Sequence, residues 1–112
     1  MIKVTVLYPR TPGSRFDHAY YLNVHMPMSI RLIGHAMTAI SVDRGTGSAP
    51  WPDASFHAIC TFTCASREAY EQAFFPHMAE LQGDIPKFTD VQAIIQLGDV
   101  VLDWKPSQNS AA

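Results

Sequence analysis

The order in which two hydrophobic periodicities follow one another constrains the fold of this chain more than any other feature of its sequence. Residues 2–8, 37–44, 56–64 and 91–97 are short runs with β-branched or alternating apolar residues, which are typical of strands. In the segments after the first and third runs, apolar residues recur at intervals of three and four, which is typical of helices. The order β-α-β-β-α-β predicts an α+β domain with the ferredoxin-like sandwich architecture.

Capping residues and prolines locate the two helices. Asp17 and Ser66 precede the helical patterns, where a side-chain oxygen can accept a hydrogen bond from a free backbone N–H. Pro27 lies inside the first pattern and Pro76 inside the second. Because proline has no backbone N–H and its ring displaces the preceding turn, we expect each helix to bend or restart there.

The two faces of the predicted sheet differ in what covers them. In this topology both helices pack on one face and leave the other bare. The bare face is more apolar than a solvated face usually is, and would contain His57, Ile59 and Thr61 of the third strand with Gln92, Ile94 and Gln96 of the fourth. We therefore expect two sheets to pack face to face in a homodimer that encloses a barrel.

Composition narrows the class of protein and its partners. With 112 residues, 47% of them apolar and 16% charged, the chain has the size of one folded domain. We assign residues 1–103 to that domain and expect 104–112 to form a flexible tail. A net charge of -2, with Lys and Arg scattered, argues against nucleic acid and membrane surfaces as partners.

The sequence also predicts a cytoplasmic location. The first residues lack the apolar region of a secretory signal, and no stretch approaches the roughly 20 apolar residues that span a bilayer. Cys60 and Cys64 lie four apart in a predicted strand, about 13 Å from each other, which is too far for a disulfide. Free thiols are typical of a reducing compartment.

Several sequence runs resemble the EthD family. The most specific part is the Tyr-x-x-x-His-x-Pro segment formed by Tyr21, His25 and Pro27. The resemblance covers roughly residues 2 to 100, and the runs that show it are residues 4–9 (VTVLYP), 20–28 (YYLNVHMPM), 76–78 (PHM) and 83–90 (GDIPKFTD).

This resemblance implies a dimeric α+β barrel. The same superfamily includes muconolactone isomerases, cofactor-free aromatic monooxygenases and haem-binding or haem-degrading enzymes. The family is named after bacterial degradation of ethyl tert-butyl ether, where it accompanies a haem-thiolate oxygenase system, and its members are commonly labelled oxidoreductases. The implied role is in xenobiotic degradation, with a small apolar or aromatic metabolite bound in the barrel.

His25 and Tyr21 are the leading candidates for catalysis. They lie four residues apart on the first helix, so both side chains fall on one face. An imidazole can take or give a proton near neutral pH, and a phenol can orient it or polarise a carbonyl. Many helices contain such a pair for structural reasons, so the resemblance to the family adds weight that the spacing lacks.

Three further candidates line the predicted barrel. His57, Thr61 and Gln96 fall on the bare face of the sheet and are predicted to contact the bound molecule. The alternative for His57 is a structural position at the dimer seam. Many members of the family have a His in the third strand where this chain has Thr61, so the site is expected to be rearranged here.

Three candidates lie outside the strands. His77 matches the Pro-His step of the family and would face the cleft or cap the backbone broken by Pro76. Arg31 would pair with an anionic substrate or with a surface carboxylate. Trp51 would form a pocket wall or a lid on the surface of the protein itself.

No cofactor or metal is predicted. His57 and the two thiols Cys60 and Cys64 fall on opposite faces of a strand, so they cannot converge on one ion. Gly45-x-Gly47 lacks the third glycine and the helix that a nicotinamide or flavin pyrophosphate requires. An enzyme with His25 and Tyr21 as acid/base pair is the first hypothesis. A carrier for a partner oxygenase, or a haem-binding protein that uses His25 or His77, are the alternatives.

Overall fold

Four antiparallel strands form one sheet in the order β2-β3-β1-β4. The computed structural model describes residues 1–106. The strands are β1 Ile2–Pro9, β2 Met37–Arg44, β3 Phe56–Cys64 and β4 Ile94–Asp99. This is the predicted α+β fold with ferredoxin-like topology, which is thereby confirmed. The tail predicted at 104–112 falls largely on residues 107–112, which lie outside the described residues.

Two composite helices cover one face of the sheet. Helix α1 (18–33) contains the α-helical turn His18–Tyr20, the π-helical turn Tyr21–His25 and the α-helix Met26–Ile33. Helix α2 (67–83) contains the α-helix Arg67–Phe74, the 3-10 turn Phe75–His77 and the α-helix Met78–Gly83. Within residues 1–106, no helix combines the length and the apolarity needed to cross a membrane.

The predicted caps and breaks of these helices are confirmed. Asp17 accepts a hydrogen bond from the Tyr20 N–H at 3.0 Å, and Ser66 accepts one from the Ala69 N–H at 3.1 Å. Pro27 follows the π-helical turn, because it has no N–H to continue the α-helical pattern toward Asn23. Both prolines therefore interrupt regular helix without separating the segments.

The core lies between the helices and one face of the sheet. Alternate residues of β1 and β3 point toward the helices, as the alternation of β3 predicts. Cys60 and Cys64 are both buried there as free thiols. The buried apolar residues are Ile2, Val4, Tyr8, Tyr21, Met26, Ile33, Ala58, Cys60, Phe62, Cys64, Tyr70, Ala73, Leu81 and Phe88.

The other face of the sheet, here called the outer face, has two aligned rows of side chains. Strand register places Thr5 opposite both Thr61 and Gln96, and Thr61 opposite Ser41, so hydroxyl and amide groups form one row across four strands. In the adjacent row, Leu7, Ile59 and Ile94 are apolar, and Asp43 lies at its β2 end. Neither helix covers these rows.

The predicted start of the fourth strand is wrong. The strand was expected over 91–97, but β4 spans Ile94–Asp99. Residues before it belong to the connection from α2, because the Val91 N–H is bonded to Oγ1 of Thr89 and Thr89 forms an isolated bridge with Phe16. Local hydrogen bonds thus replace the ladder that the sequence pattern suggested.

Candidate functional site

A cavity of about 70 Å³ lies between the two helices and the sheet. Most of its wall is apolar, and its polar groups come mainly from α1 and from β1 and β3. Tyr21 and His25, the predicted catalytic pair, both line it. The lining residues are Val6, Tyr8, Tyr21, His25, Met26, Ser29, Ile33, Cys60, Phe62, Tyr70, Phe74, Leu81, Gln82, Ile85, Ala93 and Ile95.

His25 forms a buried hydrogen bond with Asp84. Its Nδ1 lies 2.9 Å from Oδ2 of Asp84, and only 6% of His25 and 8% of Asp84 are exposed. An ionised carboxylate can only accept hydrogen bonds, so Nδ1 must have the proton. This fixes both the tautomer and the ring orientation of His25.

The other ring nitrogen of His25, Nε2, is available to a ligand. Among residues 1–106, Nε2 forms no hydrogen bond, whereas every side-chain nitrogen or oxygen that is inaccessible to solvent has a hydrogen-bond partner. Nε2 therefore borders open space, and His25 lines the cavity. In the neutral imidazole this nitrogen has the free lone pair and can accept a proton.

Two further groups hold the Asp84 carboxylate. The Tyr20 hydroxyl donates to Oδ1 at 2.8 Å, and Nζ of Lys87 lies 3.5 Å from the same atom. Burial alone would raise the pKa of Asp84, but the hydrogen bonds from His25 and Tyr20 and the positive charge of Lys87 outweigh it and lower the pKa. Asp84 is thus kept as an anion beside His25.

Tyr21 is a neutral group at the cavity wall. It is 1% exposed, and its ring stacks on His25 with centroids 5.6 Å apart and planes 15° from parallel. Burial raises the pKa of Tyr21 far above its ordinary value, and also raises that of Tyr8, whose ring lies 5.5 Å away. Tyr21 therefore keeps its proton at neutral pH, so its hydroxyl, which also interacts with Tyr8 and Cys60, can donate a hydrogen bond but cannot act as a base.

The local sequence explains why these groups face inward. In the π-helical turn the Met26 N–H donates to the carbonyl of Tyr21 rather than to that of Leu22. Ser29 donates its hydroxyl to the His25 carbonyl at 3.0 Å, and the Phe88 ring packs 4.7 Å from the imidazole. These contacts hold both the backbone and the side chain of His25.

Thr61 and Gln96 lie on the opposite side of the sheet from this cavity. Both belong to the outer face, whereas His25 and Tyr21 pack on the helix-covered face. A hollow enclosed between two outer faces would therefore not adjoin His25, because one sheet stands between them. Thr61 and Gln96 cannot touch a molecule bound beside His25.

His57 lies at a β-bulge near the start of β3. The register shifts between Tyr8 and Pro9, which face Ala58 and Phe56, so His57 has no direct partner in β1. Its Nε2 is 2.8 Å from the Ser14 hydroxyl, and its ring stacks on Phe16. Burial, together with the charge of Arg10, lowers the pKa of His57. These contacts are with the loop after β1, and His57 does not line the cavity.

The remaining candidates do not meet at the cavity either. His77 is half-buried in the 3-10 turn of α2, and Arg31 is exposed on α1. Trp51 is 77% exposed in the connection between β2 and β3, so it forms no wall of this cavity. Within residues 1–106, His, Cys, Asp and Glu side chains do not gather in groups of three that could hold a metal ion.

Sequence reasoning missed Asp84 as a site residue. It lies 59 positions after His25, and no local periodicity connects the two. The available signal was its place in the run of residues 83–90 that resembles the family, beside the Pro86 turn. Cys60 and Tyr8 were assigned only to predicted strands, although both line the cavity.

Comparison with known proteins agrees with this architecture. The model of the EthD domain matches residues 14–92. An EthD-like protein from Ralstonia eutropha JMP134 is 43% identical, with 92% of this chain and 94% of that chain covered and a TM-score of 0.83. No curated protein sequence matches.

Two more distant structures share the fold. An ethyl tert-butyl ether D (EthD) family protein from Bacillus halodurans C-125 is 19% identical, with 88% of this chain and 97% of that chain covered and a TM-score of 0.61. The protein At3g17210 from Arabidopsis thaliana is 17% identical, with coverages of 98% and 99% and a TM-score of 0.62. These two show the fold alone, whereas the match to the EthD domain and the 43% identical relative establish that the chain belongs to the EthD family.

Proposed function

We propose that this protein is an enzyme that moves a proton on a small apolar or aromatic metabolite held in the cavity between the helices and the sheet. One observation supports this above all: His25 is buried, its Nδ1 is bonded to an ionised Asp84, and its Nε2 borders the cavity. An oriented imidazole with one free nitrogen is the arrangement that general acid–base catalysis requires.

The roles follow from the geometry. Nε2 of His25 takes a proton from an acidic C–H or O–H of the ligand, and the Asp84 carboxylate stabilises the imidazolium that forms. Tyr21 donates a hydrogen bond to a ligand oxygen as negative charge develops there. Return of the same proton to another ligand atom completes an isomerisation, whereas an oxidation requires molecular oxygen as the co-reactant.

Cavity volume limits the size of the ligand. The cavity holds about 70 Å³, roughly half of the ~150 Å³ in which an engineered apolar cavity binds benzene. A ligand with an aromatic ring therefore requires the cavity to widen. Movement of the flexible or rim side chains Met26, Phe74 and Ile85 would widen it.

We propose a homodimer in the cytoplasm as the working form. The apolar row on the outer face, with Leu7, Ile59 and Ile94, supports pairing of two sheets across that face. The two buried free thiols agree with a reducing compartment. A role in xenobiotic degradation remains part of this proposal, supported by the family.

Turnover of candidate substrates tests the proposal. The purified protein is incubated with a panel of small phenolic and quinoid compounds, and products are identified by mass spectrometry and NMR. We expect His25→Ala to lower the rate about 10²- to 10⁴-fold, as loss of a general acid–base does. His35→Ala, which changes an exposed histidine, is the matched control and should retain the rate. A folded His25→Ala variant with full turnover would refute the assignment.

A carrier function is the second candidate, and the thiol in the cavity favours it. Burial raises the pKa of Cys60 to about 11, so the cavity offers no activated nucleophile. A carrier would be stabilised against heat by the ligand and would release it unchanged. Haem does not fit the cavity, since about 70 Å³ is far smaller than a porphyrin. Visible absorbance after addition of haem tests that point directly.

A further inference from the structure

Tyrosine hydroxyls are concentrated in the wall of the cavity beside His25. Among the described residues, Tyr8, Tyr21 and Tyr70 line it and are 3%, 1% and 8% exposed. The proposed function gives a role only to Tyr21. A buried phenol hydroxyl normally has a hydrogen-bond partner, so the partner of each proton indicates what the cavity can bind.

The hydroxyls of Tyr21 and Tyr8 form a pair in which Tyr21 donates. Burial raises the pKa of Tyr8, and the hydrogen bond from Tyr21 offsets part of that rise. A hydrogen bond that lowers the pKa of a phenol is one that its oxygen accepts, because the bond stabilises the phenolate. Within residues 1–106, the proton of Tyr8 itself has no side-chain acceptor, so it is available to a molecule in the cavity.

The Tyr21 hydroxyl can turn to the same molecule. Its second neighbour is the Cys60 thiol, and sulfur is a weak acceptor. An oxygen atom of a ligand accepts better, and the centroids of the Tyr8 and Tyr21 rings are only 5.5 Å apart. Both hydroxyls can therefore donate to one ligand oxygen, which is the arrangement that stabilises a developing oxyanion.

His25 is placed to meet a different atom of that ligand. Its ring stacks on Tyr21 with centroids 5.6 Å apart, so Tyr21 lies beside both His25 and Tyr8. Nε2 of His25 accepts a proton, whereas the two hydroxyls donate. A carbonyl compound meets both requirements at neighbouring atoms, because its oxygen accepts and the hydrogen on the adjacent carbon is acidic.

The charges around the cavity favour a neutral ligand. Within residues 1–106, the cavity wall contains no Lys or Arg, and Nζ of Lys87 lies 3.5 Å from the Asp84 carboxylate. Asp84 itself places a negative charge behind His25. An anionic ligand would lose its hydration without gaining a counter-charge, which is costly. Carboxylates and phosphates are therefore disfavoured.

We propose that the cavity takes neutral carbonyl compounds with a hydrogen on the carbon next to the carbonyl, and that Tyr8 and Tyr21 together hold the carbonyl oxygen. The inference rests on the proposed function and specifies its substrate class. The C–H bond breaks and its proton passes to Nε2 of His25. The electron pair of that bond forms the C=C bond of an enolate, and the C=O pair moves onto the oxygen that the two hydroxyls stabilise. Return of the proton to carbon completes the reaction.

Hydrogen exchange of cyclopentanone tests the proton transfer. In D₂O, each removal and return of a proton replaces a hydrogen next to the carbonyl by deuterium, which ¹H NMR follows. We expect the unchanged protein to accelerate this exchange and Tyr8→Phe to slow it about 10²- to 10³-fold, as loss of one oxyanion donor does. Thr5→Val removes a hydroxyl from the outer face of the same strand and should retain the rate.

Binding of a matched isostere tests recognition independently of the rate. Methylenecyclopentane has a CH₂ group in place of the carbonyl oxygen. Tyr8→Phe should weaken binding of cyclopentanone about tenfold, as loss of one hydrogen bond does, and should leave binding of methylenecyclopentane equal or stronger. The ¹³C carbonyl signal of cyclopentanone should also move downfield on the unchanged protein, a measurement that needs no variant.

The outcomes separate this inference from the proposed function. Unchanged exchange and affinity in a folded Tyr8→Phe variant would overturn the carbonyl assignment, as would an unmoved ¹³C signal. Tighter binding of cyclopentanol or cyclopentanecarboxylate than of cyclopentanone would overturn it as well. In each case, turnover of the phenolic and quinoid panel that depends on His25 would still uphold the proposed function. A folded His25→Ala variant that exchanges deuterium at the unchanged rate would overturn the proposed function itself.

Discussion

The carboxylate of Asp84 decides which nitrogen of His25 meets a ligand. It accepts hydrogen bonds from Nδ1 of His25 and from the Tyr20 hydroxyl, and Lys87 lies close to it. With Nδ1 occupied, only Nε2 can exchange a proton with a molecule in the cavity. A buried carboxylate partner of this kind fixes the tautomer and the orientation of an imidazole.

Asp84→Asn is the first prediction at this scale. The amide can still occupy the position of the carboxylate, but it has no negative charge to stabilise an imidazolium. Its NH₂ group can also donate a hydrogen bond to Nδ1. We expect the free energy of unfolding to fall by about 1–3 kcal/mol, and the ¹⁵N shifts of His25 to report a changed tautomer. Asp43→Asn, at an exposed position of β2, is the matched control. Unaltered His25 shifts would contradict the role given to Asp84.

The second prediction concerns acid stability. The pKa of Asp84 in the folded chain lies below its ordinary value of 3.8, so the unfolded chain binds protons first as pH falls. Its contribution to stability is present above the ordinary pKa and is lost as pH falls through the lowered one. In urea unfolding below about pH 5, the unchanged protein should lose stability more steeply than Asp84→Asn. Parallel pH profiles for the two proteins would contradict this.

At the residue scale the sequence indicates part of the site. His25 and Tyr21 can be selected because four positions on a helix bring them together. Asp84 cannot be selected this way, since only the return of the chain after α2 brings it to His25. Thr61 and Gln96 were placed on the correct face of the sheet, but strand alternation does not tell which face has the cavity.

At the scale of elements, the π-helical turn of α1 shapes the site. It ends at His25, immediately before the segment in which Pro27 interrupts the helical bonds. The sequence predicts an interruption there because proline removes a donor, but it does not predict that the turn widens instead of bending. The start of β4 was misplaced for a related reason, since side-chain hydrogen bonds of Thr89 replace strand pairing.

Pro27→Ala is the prediction at this scale. The new N–H can donate to the Asn23 carbonyl, so the π-helical turn should relax toward an α-helix and move His25 away from Asp84. We expect stability to change by no more than about 1 kcal/mol, while turnover or ligand affinity falls. Pro52→Ala in an exposed loop is the control. Unchanged ¹H–¹⁵N signals for Tyr21 and His25 would show that proline does not set the turn.

At the scale of the whole molecule, the outer face is the surface on which the proposed homodimer depends. Its polar row, formed by Ser41, Thr61, Thr5 and Gln96, runs beside the apolar row. In the proposed dimer, the polar row of one copy would face the polar row of the other. The uncovered face follows from the order of the elements, because both helices pack on one side. The homodimer itself is a proposal that the fold makes physically reasonable.

Thr61→Glu tests this face. Two carboxylates brought together across a two-fold seam repel each other, so the dissociation constant of the dimer should rise about tenfold or more. Gln72→Glu on exposed α2 is the control and should leave the dimer unchanged. Circular dichroism verifies that both variants fold, and sedimentation measures the association. A folded Thr61→Glu variant that dimerises as tightly as before would exclude the outer face as the seam.

The sheet also acts as a partition. The cavity with His25 lies on one side of it and the surface proposed for pairing lies on the other, so pairing across that surface is not expected to add a wall to the cavity. A dimer would bind two ligand molecules, one in each copy, and neither cavity would contain a side chain of the partner copy. A variant that a charged substitution at the dimer interface keeps monomeric would therefore still bind its ligand. Isothermal titration calorimetry would give a stoichiometry of one ligand per chain.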